Sequence, residues 1–270
     1  MDMLRSISKV VVAFAACSLV SCGGNSGNGQ NDLAVQNKDQ VVRDVIKYPI
    51  PTPDKIIKAL NDAEAPYILS LCNPIEKIDK YITDKDKALN LGVYGANLSY
   101  SSTYGMKQET LNYLKVCKKL IDELQISTEF NSSFAERVEQ NIDNRDSLTK
   151  IITNSYVDTY TFLQNNGKDY LSILVMVGSW VEGLYTTVEI AKSTPKNEVF
   201  LRVIANQKQT LGKVFELMEA NRESKNVEET LKLLLPLRLA YEQVEGETLS
   251  AEQFEKIARA TYYARESIVM

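Results

Sequence analysis

Helix-start signals recur along this chain from Thr52 onward, and no run of alternating apolar and polar residues separates one from the next. Thr52-Pro53 reads as an N-cap with proline at the first helical position. Asn73-Pro-Ile-Glu76 adds a glutamate at the third. Ser133-Phe-Ala-Glu136 and Ser250-Ala-Glu-Gln253 have the spacing of capping boxes, and Thr194-Pro195 repeats the first pattern. Gly167 is placed to stop the segment ending "FLQNNG". Helical spacing fills the intervals 54–72, 74–82, 84–104, 107–125, 133–143, 145–165, 168–192, 195–221, 225–245 and 250–268. The predicted fold is therefore all-α, a bundle or array of about ten helices with short connections. Pro236, inside "LLLPLRLAY", should kink or break its helix and free the carbonyl of Lys232.

Two of these helices are crowded with glycine and aromatic residues. In "LNLGVYGANLSYSSTYG", Leu89 to Gly105, the small residues Gly92, Ala96, Ser99 and Thr103 share one stripe, and Val93, Asn97, Tyr100 and Tyr104 form the next. Each glycine costs a helix about 1 kcal/mol relative to alanine, so close approach of another backbone is the compensation to expect. In "LVMVGSWVEGLYTTVEIA", Leu174 to Ala191, Val177, Val181, Leu184 and Val188 are apolar, and Ser179, Gly183 and Thr186 are small beside them. A helix apolar on most sides belongs in the middle of a bundle.

The candidate contact residues come from the same two helices. Tyr94, Asn97, Tyr100 and Tyr104 on one, with Trp180, Glu182 and Tyr185 on the other, would meet at a groove for a ligand or partner. Two readings of Glu182 stand. Enclosed beside tyrosine and tryptophan, its pKa would rise by desolvation, as an acid catalyst or ligand contact requires. Alternatively Gly178, Glu182, Tyr185 and Glu189, running on to Lys192, form a helix edge facing water. The tyrosines likewise suit either a ligand platform or a core with capped hydroxyls.

The N-terminus carries an address. Arg5 and Lys9 precede eleven almost wholly apolar residues, Val10 to Val20, the length of a secretory core and short of the roughly 20 that span a bilayer. Leu19-Val20-Ser21-Cys22 resembles the lipobox of bacterial lipoprotein precursors, which implies cleavage before Cys22 and diacylglycerol on its thiol. Residues 1–21 are then a lipoprotein signal peptide. Residues 22–52, rich in Gly, Asn and Gln until "YPIPTP", form a lipidated cysteine and flexible tether, and 53–270 the helical domain. Gly23, not aspartate, follows the cysteine and the first acid is Asp32. By resemblance that favours the periplasmic face of the outer membrane over the cell surface.

Several chemistries drop out. The chain has no histidine, which excludes Ser-His-Asp and Cys-His nucleophiles and His-ligated metals. A net charge of −4 with no basic run leaves no footprint for nucleic acid. "NIDNRDS", Asn141 to Ser147, alternates oxygen ligands as a calcium loop does. Arg145, Asp146 and Ile152 fall where that loop needs a ligand, a glycine and a glutamate, so no metal is assigned. Asn144 as N-cap of the next helix explains the same residues. Cys72 and Cys117 could pair in an oxidising compartment, or stay free in the apolar contexts "YILSLC" and "YLKVCKKL". No cofactor is expected.

With its lipobox, "ALNLGVYGANLSY", "NIDNRDS" and "GSWVEGLY", the chain resembles an uncharacterised family of Bacteroidota lipoproteins over most of its mature length. The resemblance implies an outer-membrane address and no catalytic residue. The function expected is a lipid-anchored periplasmic helical module that binds an envelope protein or small ligand. The alternatives are a carboxylate-based hydrolase or lyase acting on envelope glycans, with Glu182 as acid, and a purely structural envelope scaffold.

Overall fold

The computed structural model describes residues 65–126, 128–195 and 197–270, with the side chains of 128–131 excepted. The expected signal peptide, Cys22, the expected tether, the Thr52-Pro53 start and most of the 54–72 segment lie outside the described residues. Within them the chain is all-α. Two 3-10 turns, Leu69–Leu71 and Ile75–Lys80, precede nine α-helices: α1 Asp84–Thr103, α2 Lys107–Glu123, α3 Thr128–Gln140, α4 Arg145–Asn165, α5 Asp169–Ser193, α6 Glu198–Ala205, α7 Gln207–Glu219, α8 Lys225–Glu242 and α9 Ala251–Val269.

Local chemistry sets several of the ends. The Thr83 hydroxyl accepts from the Asp86 N–H at 3.1 Å and opens α1. Asn144 Oδ1 accepts from the Ser147 N–H at 3.0 Å and opens α4, as the sequence suggests. Ser250 and Gln253 form the reciprocal capping box of α9. Gly105 and Gly167, both at φ +68°, close α1 and α4 with paired bonds back to the last turn, from Met106 to Ser101 and from Lys168 to Leu163.

Helices α1 and α5 form the centre. They pack on each other more extensively than any other pair; α2 and α4 cover one side, with α3 between them, and α9 and α8 cover the other. Helix α5 is long and apolar enough to cross a membrane by composition alone, yet 94% of its most apolar window is buried inside the protein, as for a core helix. Glycine makes the central crossing. A Cβ on Gly92 would lie 2.0 Å from the Val175 carbonyl oxygen, and one on Gly178 would lie 1.9 Å from that of Leu89. The two backbones touch where side chains are absent.

Four expectations need correction. Residues 74–82 make a 3-10 turn rather than an α-helix, because Asn73 is buried and its side chain engages Tyr81 instead of capping. Ser133 lies inside α3, which starts five residues earlier, so it opens nothing. The 195–221 segment is two helices parted at Asn206; Thr194 ends α5 and α6 starts after Asn197. The next residue, Gln207, is buried and its side chain reaches Trp180, which ties α7 to the core. Finally, α8 runs unbroken through Pro236. Pro236 and Lys232 are both exposed, so water can satisfy the carbonyl that proline leaves without a donor.

Candidate functional site

The close crossing of α1 and α5 presses Asn97 against Glu182. Asn97 Nδ2 donates to Glu182 Oε1 at 2.8 Å, and both residues are fully buried. Helix α9 supplies the counter-charge. Arg265 Nε donates to Glu182 Oε2 at 2.7 Å, while its Nη2 donates to Oε1 at 3.2 Å and to the Leu71 carbonyl at 3.2 Å. The Arg265 side chain keeps 13% exposure and Glu182 none. Burial by itself pulls the guanidinium pKa down, but the charge of Glu182 and its hydrogen bonds lift it above the ordinary value.

The segment before α1 is held to the same centre. The Asn73 N–H donates to Asn97 Oδ1 at 2.9 Å, and Asn73 Nδ2 donates to the Tyr81 hydroxyl at 2.9 Å. Tyr94 donates to the Pro74 carbonyl at 2.8 Å, Tyr100 accepts from the Ile68 N–H at 3.1 Å, and Tyr104 donates to the Ala65 carbonyl at 3.3 Å. Tyr67 stacks on Tyr100 with ring centroids 5.0 Å apart. The end of α9 is capped from the side: Asn90 Nδ2 donates to the Ile268 carbonyl at 2.9 Å and Lys77 Nζ to that of Val269 at 3.2 Å.

Burial dominates the electrostatics of this cluster. It pushes the phenols of Tyr67, Tyr94, Tyr104 and Tyr113 well above the usual range, and that of Tyr100 up to about 12. The same cause raises the Cys72 thiol to about 11 and the Cys117 thiol to about 12. Both cysteines are free and buried, so they do not pair.

Of the seven predicted contact residues, the structure brings Asn97 and Glu182 into direct contact. Tyr94, Tyr100 and Tyr104 line up along α1 beside them, facing the 65–74 segment. Tyr185 joins from the rim: the Arg265 guanidinium lies 4.1 Å from its ring centre, and Tyr262 meets it edge-on at 5.8 Å. Tyr262 in turn donates to Glu189. Trp180 does not belong to this group. It is fully buried and donates from Nε1 to Gln207 Oε1 at 3.0 Å, on the face of α5 toward α7. The water-facing reading of the Glu182 stripe is also overturned, since the carboxylate is sealed behind Arg265.

This arrangement is a lock rather than an open reaction centre. Glu182 accepts three donors from two residues, so neither oxygen points into solvent to meet a glycan. Among the described residues no three His, Cys, Asp or Glu side chains converge as a metal site requires. A cavity between α1, α2 and α4, bounded by Gly95, Cys117 and Tyr156, holds about 30 Å³, the room of a single water. Larger hollows open on the outside, about 440 Å³ between α7 and α8 and about 550 Å³ between α8 and α9.

Arg265 escaped the sequence reading, and Asn73, read there as a helix cap, was not expected at this centre. "ARATYYARES" offers Arg259 and Arg265 on one helix with nothing to mark the second as the buried one. A usable signal was present for Asn97: Asn90 and Asn97 lie seven residues apart on one stripe of a helix that carries no charge after Lys87. No family model, curated protein or solved structure matches this chain.

Proposed function

We propose that this chain is a lipid-anchored helical interaction module at the periplasmic face of the outer membrane, moored through Cys22 and recognising its partner through the outer faces of its helices. The observation that carries the reading is the fully buried carboxylate of Glu182, closed on by Arg265 and Asn97. The most conspicuous polar residues of the chain are engaged with one another, and the tyrosines of α1 direct their hydroxyls to backbone groups of residues 65–74. Recognition then falls to the surface, where the two outer hollows lie. The Leu19-Val20-Ser21-Cys22 sequence supports the anchor, and the resemblance to Bacteroidota lipoproteins supports the address.

Metabolic labelling with a palmitate analogue, followed by crosslinking in intact cells, tests both halves. The expected result is label on the wild-type chain in outer-membrane fractions, none on a Cys22→Ala variant, and a discrete crosslinked adduct. Label that survives Cys22→Ala, or a wild-type chain in the soluble periplasm, would refute the anchor. Crosslinks to abundant envelope proteins alone would refute the interaction role and leave a scaffold.

A further inference from the structure

The exposed side of the α8–α9 pair is apolar at its centre and charged at its ends. Leu239 is 62% exposed and Tyr263 54%, and they stand around a hollow floored by Pro236, Ala240 and Ala260; Leu235, 40% exposed, lies one turn before Leu239 on α8. Such a face carries both protruding apolar side chains and the recess that could receive them. Its charges are of both signs. Lys232 pairs with Glu228 one turn away at 3.0 Å; Lys256 pairs with Glu252 at 2.8 Å and also donates to Gln243 of α8 at 2.8 Å. Among the described residues Arg259 and the carboxylates of Glu242 and Glu266 have no ion-pair partner.

The order of these residues decides the occupant. On α8 the stripe runs Lys232, Leu235, Leu239, Glu242, and reversal about position 237 sets Lys232 against Glu242 and Leu235 against Leu239. On α9 it runs Lys256, Arg259, Tyr263, Glu266, and reversal about position 261 sets Lys256 against Glu266 and Arg259 against Tyr263. Both stripes are therefore complementary to their own reversed copies. The two centres also lie at one level. Gln243 bonds to Gln253 and Lys256, and about 9 Å back along α8 and forward along α9, at 1.5 Å per residue, come residues 237 and 259–262. One two-fold axis across the helices satisfies both reversals.

From this we infer that the α8–α9 face is the contact between two copies of this chain, packed as an antiparallel four-helix layer about that axis. Leu239 meets Leu235 of the partner subunit, Lys256 meets Glu266 of the partner subunit, and the Arg259 guanidinium lies over the ring of the partner's Tyr263. A membrane surface would favour cations without matched acids, and this stripe supplies an acid for each lysine. The footprint, roughly 20 Å by 17 Å per copy from two helix widths and the eleven residues of each stripe, falls below that of stable interfaces and among weak, transient ones, so the dissociation constant should be micromolar. The inference rests on the interaction-module reading and names its partner.

Sedimentation equilibrium of the whole exported chain, in non-ionic detergent matched to the density of the solvent, reads the self-association. The wild type should fit a monomer–dimer equilibrium with a dissociation constant on the order of 10 µM. Leu239→Glu should weaken it by at least about 30-fold. Lys256→Glu and Glu266→Lys should each weaken it by about 10-fold, and the double swap should restore it. Far-UV circular dichroism of each variant, unchanged from wild type, separates lost association from lost folding. A wild type that stays monomeric at about 200 µM, well above that constant, overturns the proposal, as does a dimer indifferent to Leu239→Glu or a double swap without rescue. A monomer that floats with phospholipid vesicles and loses this with Leu239→Glu assigns the face to the bilayer instead. Each of these failures leaves the crosslinking test of the broader reading intact.

Discussion

Removing one member of the Glu182–Arg265 pair should cost as much as removing both charges together. Glu182→Gln keeps the shape and the bond to Asn97 but leaves a guanidinium that is only 13% exposed without its anion. Arg265→Met strands a fully buried carboxylate with Asn97 alone. Breaking a buried pair from one side costs about 3 to 5 kcal/mol; the residual exposure of Arg265 puts each single change near the lower figure, about 3 kcal/mol. In the double variant neither charge is stranded, and the loss is the bond to the Leu71 carbonyl plus imperfect packing, so its total should also be about 3 kcal/mol. The cycle then closes with a coupling of about 3 kcal/mol. Urea unfolding followed at 222 nm measures all four proteins, and equal slopes confirm that the unfolding reaction is the same. If Glu182 were maintained for ligand chemistry, Glu182→Gln would leave stability unchanged or raise it. Single changes under about 1 kcal/mol, or strict additivity, would refute the lock.

Three further outcomes follow from the packing. Gly178→Ala should destabilise by about 3 kcal/mol or more despite alanine's better helix propensity, because its Cβ would meet the Leu89 carbonyl at 1.9 Å. Gly212→Ala, with nothing within 4 Å, should instead gain about 0.5 to 1 kcal/mol in the same urea assay. Stability should fall at alkaline pH: buried tyrosines and thiols titrate above their unfolded values, so the unfolded chain binds fewer protons. The contribution is whole below about pH 8.5 and is lost upward at about 1.4 kcal/mol per pH unit for each group involved. Most of the tyrosinate absorbance should therefore rise together with loss of helix, and ionisation of most of the tyrosines while circular dichroism holds would contradict this. Trp180 fluorescence should resist acrylamide, and neither Cys72 nor Cys117 should react with a thiol reagent at pH 8 until urea is added.

The sequence displayed the elements and hid the partners. Caps such as Asn144 and the Ser250 box, and stops such as Gly167, act within a few residues, so local chemistry fixes them and they can be read directly. Thr194-Pro195 and Ser133 carry the same local signs and cap nothing: Thr194 ends α5 in the interior, and α3 begins before Ser133. Trp180 and Glu182 show the limit for the site. Both were identifiable as residues of a buried helix, but two positions apart on an α-helix means roughly opposite faces. Which face met α7 and which met α9 depended on packing that no local pattern records.

The small-residue stripes and the polar stripes, which read as separate features in the sequence, act as one device in the structure. Gly92 and Gly178 let the α1 and α5 backbones touch, and that separation is what allows Asn97, five residues beyond Gly92, to reach Glu182, four beyond Gly178, at 2.8 Å. A wider crossing would still bury both side chains yet part them, leaving Glu182 with Arg265 alone and the Asn73 N–H with a displaced acceptor. The cost of a Cβ at Gly178 therefore has two components, repulsion at the Leu89 carbonyl and loss of the Asn97 bridge. Asn97→Ala should remove the second component without the first. In a Gly178→Ala background, Asn97→Ala should accordingly cost less than it does in the wild type, where the bridge is intact, and an equal cost in both backgrounds would show that the glycines set only the packing.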